Sequence, residues 1–323
     1  MRIHGERTHP RWVLAALLVT AVAVNASDYS FLVPLQQLRR DTHRAVVEGR
    51  ADAPQQYRVL VPFILDTPIR LLSTVMPDKA FGRTYAAYHL VALTLLLAAL
   101  FRYLRVWFSV EQALGGALIV GSTIRIALRA TEYWDFSSIP GNGVFAPSSL
   151  LEPIFVASGL LLILDDRRWT LACLIIVASL NSGAAMLLPL LFLVARPVSR
   201  ERLLAGLGYL ALWGAVSVGL RQAFGFRAVS PYIGQVLDAN LEHLPSLVIN
   251  LSLFLGPVWL LIPVGWRRTP VFARRVMLVI PVYLIGVAVW GYWWDVRNLT
   301  PLYPLLLPPA LAALFNPRES TPA

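Results

Sequence analysis

In IRIALRATEYWDF, Arg125, Arg129 and Glu132 stand at i, i+4 and i+7, with Asp135 three residues further on. On a helix the first three form one stripe. Guanidinium groups in a row suit a phosphate or a carboxylate, because each offers a planar fork of donors. Three further stretches carry charge among apolar residues: Asp28 in NASDYS, Arg58 in YRVLVP, and Asp295 with Arg297 in GYWWDVRNLTP. Asp28 suits a proton acceptor if the segment that follows covers it, and a plain turn residue if not. Arg58 fits a phosphate or an interfacial arginine whose head stays in water. Asp295 and Arg297 are two apart, so on a helix they point different ways.

What positions these residues depends on the solvent around them. Hydrophobic residues make up 57% of the 323 positions and charged residues 14%, against about a quarter charged in an ordinary soluble domain. The apolar residues run in blocks such as YAAYHLVALTLLLAALF (85–101), LLAGLGYLALWGAVSVGL (203–220) and VMLVIPVYLIGVAVWGYWW (276–294). Blocks of about 17 to 25 residues match a hydrocarbon core of about 30 Å. The expectation is an all-α, polytopic membrane protein forming a single domain over 1–323. Candidate spans are 12–27, 85–104, 110–128, 150–164, 170–181, 183–195, 203–222, 247–265, 276–294 and 300–315. The fifth and sixth are short and read as half-length helices meeting near Asn181 and Ser182. The first resembles a signal peptide in its basic start and short apolar core; it is read as a retained helix.

The connecting segments RYLRVWFS, DDRR, RPVSRER and WRRTPVFARR each hold at least two arginines. Arginine-rich loops mark the cytoplasmic side, which places both termini there. Most acids then fall on the other side, in the outer segments 28–84, 129–149 and 223–246. Within 28–84, FLVPLQQLRRDTHRAVVEGR (31–50) mixes an apolar face with arginines as interfacial helices do. YRVLVPFILDTPIRLLSTV (57–75) is apolar but interrupted by Pro62 and Pro68, so it reads as a broken, re-entrant or surface-lying roof.

In this setting Arg125 carries the weight of the stripe. An arginine inside a membrane span is costly, and it marks either an anionic ligand or a partner acid. Two readings stay open: an anionic headgroup, or an ion pair with Glu152 or Asp28 that only joins helices. Other chemistry finds no residues to carry it. There is no phosphate-binding glycine loop, no HExxH and no cysteine–histidine cluster. Cys173 is the single cysteine, so no internal disulfide forms. The net charge of +10 is spread over loops and not over one soluble face, so nucleic acid is not expected. His43, His89 and His243 show no pairing in the sequence.

The order of parts resembles the bacterial GT-C type of membrane glycosyltransferase. An aspartate follows the first helix, YRVLVP lies in a long outer loop, acids lie in the second outer loop, and LNSGAAMLLPLLFL (180–193) and DVRNLTPLYPLLLPPAL (295–311) follow. The likeness covers most of the chain on short, apolar motifs. It implies transfer of a sugar from a polyprenyl-phosphate carrier at the extracytoplasmic face of the cytoplasmic membrane. Asp28 would take the proton of the acceptor hydroxyl. Glu132 or Asp135 would be a second acid, positioning the acceptor or a divalent cation. Arg58, Arg125, Arg129 and Arg297 would hold the carrier phosphate, which leaves with added charge. One departure stands out: relatives often carry a charged pair after the asparagine matching Asn181, in the style LNRET, whereas this chain has Ser182, Gly183, Ala184 and Ala185. Two other functions therefore remain: a transporter or flippase of an anionic lipid-linked substrate, and a non-catalytic module of the same architecture.

Overall fold

The computed structural model describes residues 11–32, 36–51, 55–129, 147–225, 233–242, 252, 254, 256–291 and 296–318. Among these there is helix and no strand. The first two helices are α1 (Arg11–Leu32) and α2 (Gln36–Val47). They are followed by α3 (Leu60–Ser73), α4 (Ala80–Leu104) and α5 (Val110–Arg129). After a short turn over Pro147–Leu150 come α6 (Leu151–Leu164), α7 (Arg168–Asn181), α8 (Leu187–Val194) and α9 (Arg200–Phe224). The chain continues through α10 (Ile233–Glu242), α11 (Leu261–Gly265), α12 (Val271–Val276) and α13 (Val279–Trp290). A 3-10 segment over Val296–Leu302 then leads into α14 (Tyr303–Leu314).

Three helical stretches, Ala80–Leu104, Arg200–Phe224 and Val271–Val289, are long and apolar enough to cross a membrane. Others are shorter: α6 and α7 have 14 residues each, about 21 Å at 1.5 Å per residue. The solvent can be read from α9, where only 6% of the apolar window is buried inside the protein. Leu14, Val19, Leu204 and Ile285 are likewise well over half or close to half exposed. Water does not tolerate so much contiguous apolar surface, but hydrocarbon does.

α4 is the central strut. Leu93, Leu96, Leu97, Leu100 and Leu104 are almost fully buried and meet Val13, Leu17 and Ala21 of α1, Ala117 and Val120 of α5, and Leu160 of α6 in one core. Tyr303, Leu305 and Leu307 of α14 close it from the other side. Close approach here needs small residues: a side chain at Gly116 would run into Leu104 and Leu311.

Two expectations change. The segment 57–75 is not broken by its prolines, because α3 runs unbroken from Leu60 to Ser73. Pro62 falls in the first turn, where an amide donor has no partner to lose, and only Pro68 lies inside the helix. Asp28 is not a residue beyond the first helix either, since α1 continues to Leu32. Between α7 and α8 the chain does break as expected. Ser182 is extended at φ −167°, its side chain accepts from the Ala184 amide at 3.2 Å, and Asn181 is fully buried.

Candidate functional site

The segment between α1 and α4 folds onto one end of the bundle as a roof. Gln56 and the Tyr57 hydroxyl both donate to the Gly225 carbonyl, at 3.3 and 3.1 Å. Val46, Ala51 and Val59 pack against Leu180, Leu220 and Phe224, so the roof rests on the ends of α7 and α9. On the α4 side, Arg40 donates to the Asp78 carbonyl at 2.8 Å and lies over the Phe81 ring.

α2 is amphipathic in an unusual sense. Its exposed positions include Gln37, Asp41 and Arg44, whereas Arg39, His43 and Val46 are buried. Spacings of four and three put these on one face, so the inward stripe of α2 delivers a cation and an imidazole. His43 Nδ1 lies 2.9 Å from the Tyr85 hydroxyl of α4, and Nε2 lies 3.5 Å from Oδ1 of Asp66 on α3. A carboxylate only accepts, so the neutral ring keeps its proton on Nε2 and Nδ1 accepts from Tyr85. Asp66 also pairs with Arg70 at 2.7 Å. Phe81 and Tyr85 meet the ring edge-on. Nearby, His89 Nδ1 is 3.1 Å from the Asn25 amide oxygen of α1, which joins α4 to α1. Arg39 lies close enough to Tyr85 and His89 for its charge to act on both, and Glu152, buried at the start of α6, acts in the same way on Tyr88.

Burial holds the His43 pKa below its ordinary 6.5, against the opposing pull of Asp66. As pH falls below 6.5, the unfolded imidazole takes a proton before the folded one does. The unfolded state then binds more protons, and stability declines as pH drops toward the folded pKa. Arg70 stands near the same ring and opposes its charging, while Asp66 favours it. The stability lost on acidification is expected to shrink in His43→Phe, which keeps the ring packing and removes the titration. Thermal melting of both proteins on either side of pH 6.5 checks this; an equal loss in the two would assign the acid sensitivity to another group.

The residues marked by sequence are distributed around this same end. Arg125 and Arg129 both lie on the last turns of α5. Arg297 lies in the 3-10 segment before α14, which is tied down by Tyr283 donating to the Asn298 carbonyl at 2.6 Å and by Thr300 donating to the Ser149 carbonyl at 3.2 Å. Thr123 of α5 is 3.3 Å from the Tyr303 hydroxyl. The end of α5, the Arg297 segment and the start of α6 with Glu152 therefore form one corner. Arg58 belongs to a different part of the roof, at the entry to α3 beside the residues that bind Gly225. Asp28 sits on the backbone of α1, which packs along α4 and α5. Glu132, Asp135 and Asp295 fall outside the described residues, as does most of the 247–255 part of the eighth candidate span. His43, Asp66 and Tyr85 were not marked by any sequence pattern: they are 23 and 42 residues apart from His43 on three helices, and only the turn of α2 onto α3 and α4 joins them.

Among the described residues no group of three or more histidines, cysteines or acids is placed to hold a metal ion. The arrangement can therefore do two things with its own side chains. It can hold a proton between Tyr85 and His43, with the Asp66 carboxylate 3.5 Å from the other ring nitrogen, and it presents arginines on the elements around a buried acid. The fold and this site define a helical protein in which three of the described stretches are long and apolar enough to cross a membrane, with charged side chains buried under a roof at one end. No protein-family model, curated protein or solved structure matches the chain.

Proposed function

We propose that the chain is a membrane glycosyltransferase of the GT-C type, transferring a sugar from a polyprenyl-phosphate carrier at the roofed, extracytoplasmic end, with both termini cytoplasmic. The observation that carries this reading is the inward stripe of α2, which keeps His43 buried beside Asp66 and Arg39 buried near Tyr85 and His89, with buried Glu152 near Tyr88. Burying such groups in a molecule this apolar costs several kcal/mol per ion, a cost that function explains better than stability does. The carrier's tail would run between apolar helices, and its phosphate would meet arginines of the set Arg58, Arg125, Arg129 and Arg297. The acceptor oxygen bonds to the anomeric carbon as the sugar–phosphate bond breaks. The bonding electrons pass to the phosphate, and Asp28 takes the acceptor's proton. Glu132 and Asp135 would position the acceptor or a divalent cation.

A transporter of the same lipid-linked anion needs an opening at both ends. At the far end, Arg196 donates to the carbonyls of Ile163 and Leu164, Arg202 donates to the Phe192 carbonyl at 2.8 Å, and the Arg318 amide donates to Trp107. These contacts favour a closed far end and hence the transferase.

Purification in native lipid, with the bound lipids identified by mass spectrometry, tests the reading. The parent protein is expected to retain a polyprenyl phosphate and Arg125→Ala to lose it. Absence of isoprenoid lipid from both would leave Arg125 as a helix-joining residue and the chain as a non-catalytic module.

A further inference from the structure

The far end of the bundle spends its arginines differently from the roof. At the roof, Arg70 pairs with Asp66, Arg50 with Glu48, and Arg40 with a carbonyl. At the far end α6 and α8 finish and α7, α9 and α12 begin. There, four guanidinium groups gather: Arg168, Arg196 and Arg275 all lie within electrostatic reach of Arg202. Arg202 is nine-tenths buried and stacks on the Phe192 ring at 4.4 Å. Three carboxylates stand at the junction, Asp165, Asp166 and Glu201, against the six guanidinium groups of Arg167, Arg168, Arg196, Arg200, Arg202 and Arg275, and Arg168 pairs with the last two of the three. Arg167 and Arg200 add exposed charge on the two flanking turns. The junction thus keeps a surplus of positive charge that its own acids do not balance.

Its surroundings identify what balances it. Trp169, directly after Arg168, is 89% exposed. Trp266, directly before Arg267 and Arg268, and Trp12, directly after Arg11, are also exposed. Indole rings beside cations at one level of a membrane protein occupy the headgroup zone, where one edge is wet and the other apolar. One turn beyond Arg200, the face of α9 carries exposed Leu203, Leu204 and Leu207. Acyl chains therefore have a surface immediately next to the arginines, which a nucleic acid or a free phosphate would leave bare.

We propose that the junction of the α6–α7 turn, the start of α9 and α12 is a seat for the phosphodiester of an acidic phospholipid. Arg275, Arg200 and Arg167 hold the headgroup, and Leu203 and Leu207 line the chains. Guanidinium forks match the phosphodiester oxygens in geometry as well as charge. The seat is independent of sugar transfer at the roof, so either can fail without the other.

Nanodiscs of phosphatidylcholine, or of an equimolar mixture with phosphatidylglycerol, provide the test, read by lipid retention in mass spectrometry and by thermal melting. The parent is expected to retain phosphatidylglycerol over phosphatidylcholine and to melt higher in the mixture. Arg275→Gln combined with Arg200→Gln should cut retention about fivefold per charge removed, with melting in pure phosphatidylcholine unchanged. Arg167→Gln, on an exposed turn, repeats the test should the double variant fold poorly. Arg44→Gln on the roof should change nothing. Equal retention of the two lipids by the parent, or an equal loss in Arg44→Gln, would overturn the seat.

Discussion

Asp28→Asn is expected to lower sugar transfer by about 10²- to 10⁴-fold, the range a positioned general base contributes, with folding and membrane insertion intact. The substitution keeps the size and one acceptor oxygen of the side chain, and removes only the capacity to take a proton at neutral pH. Val13, Leu17 and Ala21 form the buried stripe of α1, and Asn25 reaches His89 of α4. Because α1 runs to Leu32, position 28 is carried on the last turns of that helix, seven residues beyond Ala21. Turnover of a polyprenyl-phosphate sugar in proteoliposomes is the measurement, with retention of the carrier followed in parallel. Loss of turnover with the carrier still bound supports the base. Unchanged turnover removes Asp28 from the mechanism, and joint loss of turnover and melting temperature gives it a structural role. Asp41→Asn, on the exposed face of α2 where Gln37 bonds the carboxylate, is the matched control.

How much of this was visible beforehand follows from the range of each interaction. Helix existence depends on local apolar runs, so α4, α5, α6, α7 and α9 fall where the blocks do, with ends displaced by a few residues. The break expected in 57–75 fails on position: in the first turn Pro62 forfeits no hydrogen bond, so α3 runs on. The stripe of Arg125 and Arg129 was legible because both belong to one helix. Glu152 enters the sequence reading only as a partner for Arg125. His43 was not legible at all. Its partners come from α3 and α4, and no spacing rule spans 42 residues; the usable signal was a polar residue on the face of an amphipathic helix that should be apolar. Of the ten candidate spans, three stretches among the described residues are long and apolar enough to cross a membrane; 150–164 gives a helix of 14 residues, shorter than the hydrocarbon thickness, and 170–181 is as short as its half-length reading expects.

The largest stability effect is expected at Gly265, between α11 and the turn that carries Arg267 and Arg268. Its backbone is ordinary, at φ −79° and ψ −10°, so the requirement for glycine is one of space alone. A methyl group there would overlap the Pro309 carbonyl oxygen and come within 2.7 Å of the Ala313 amide nitrogen, both backbone atoms of α14. α14 has nowhere to retreat, since Ala310, Leu311 and Ala312 are almost fully buried on its other sides. The turn cannot swing away freely either, because Thr269 donates from both its amide and its hydroxyl to the Gly265 carbonyl, at 3.0 and 2.9 Å. Overpacking of this kind costs about 1–3 kcal/mol and more where backbone meets backbone, so Gly265→Ala should fall at or above the top of that range. Gly208→Ala provides the opposite case on α9, where a methyl meets nothing within 4 Å and helix propensity favours alanine by up to about 1 kcal/mol. Melting of the three proteins in one detergent should therefore place Gly265→Ala well below the parent and Gly208→Ala at or above it. A Gly265→Ala protein that melts with the parent would mean that α11 and α14 do not approach backbone to backbone, and the packing of α14 into the core would have to be redrawn.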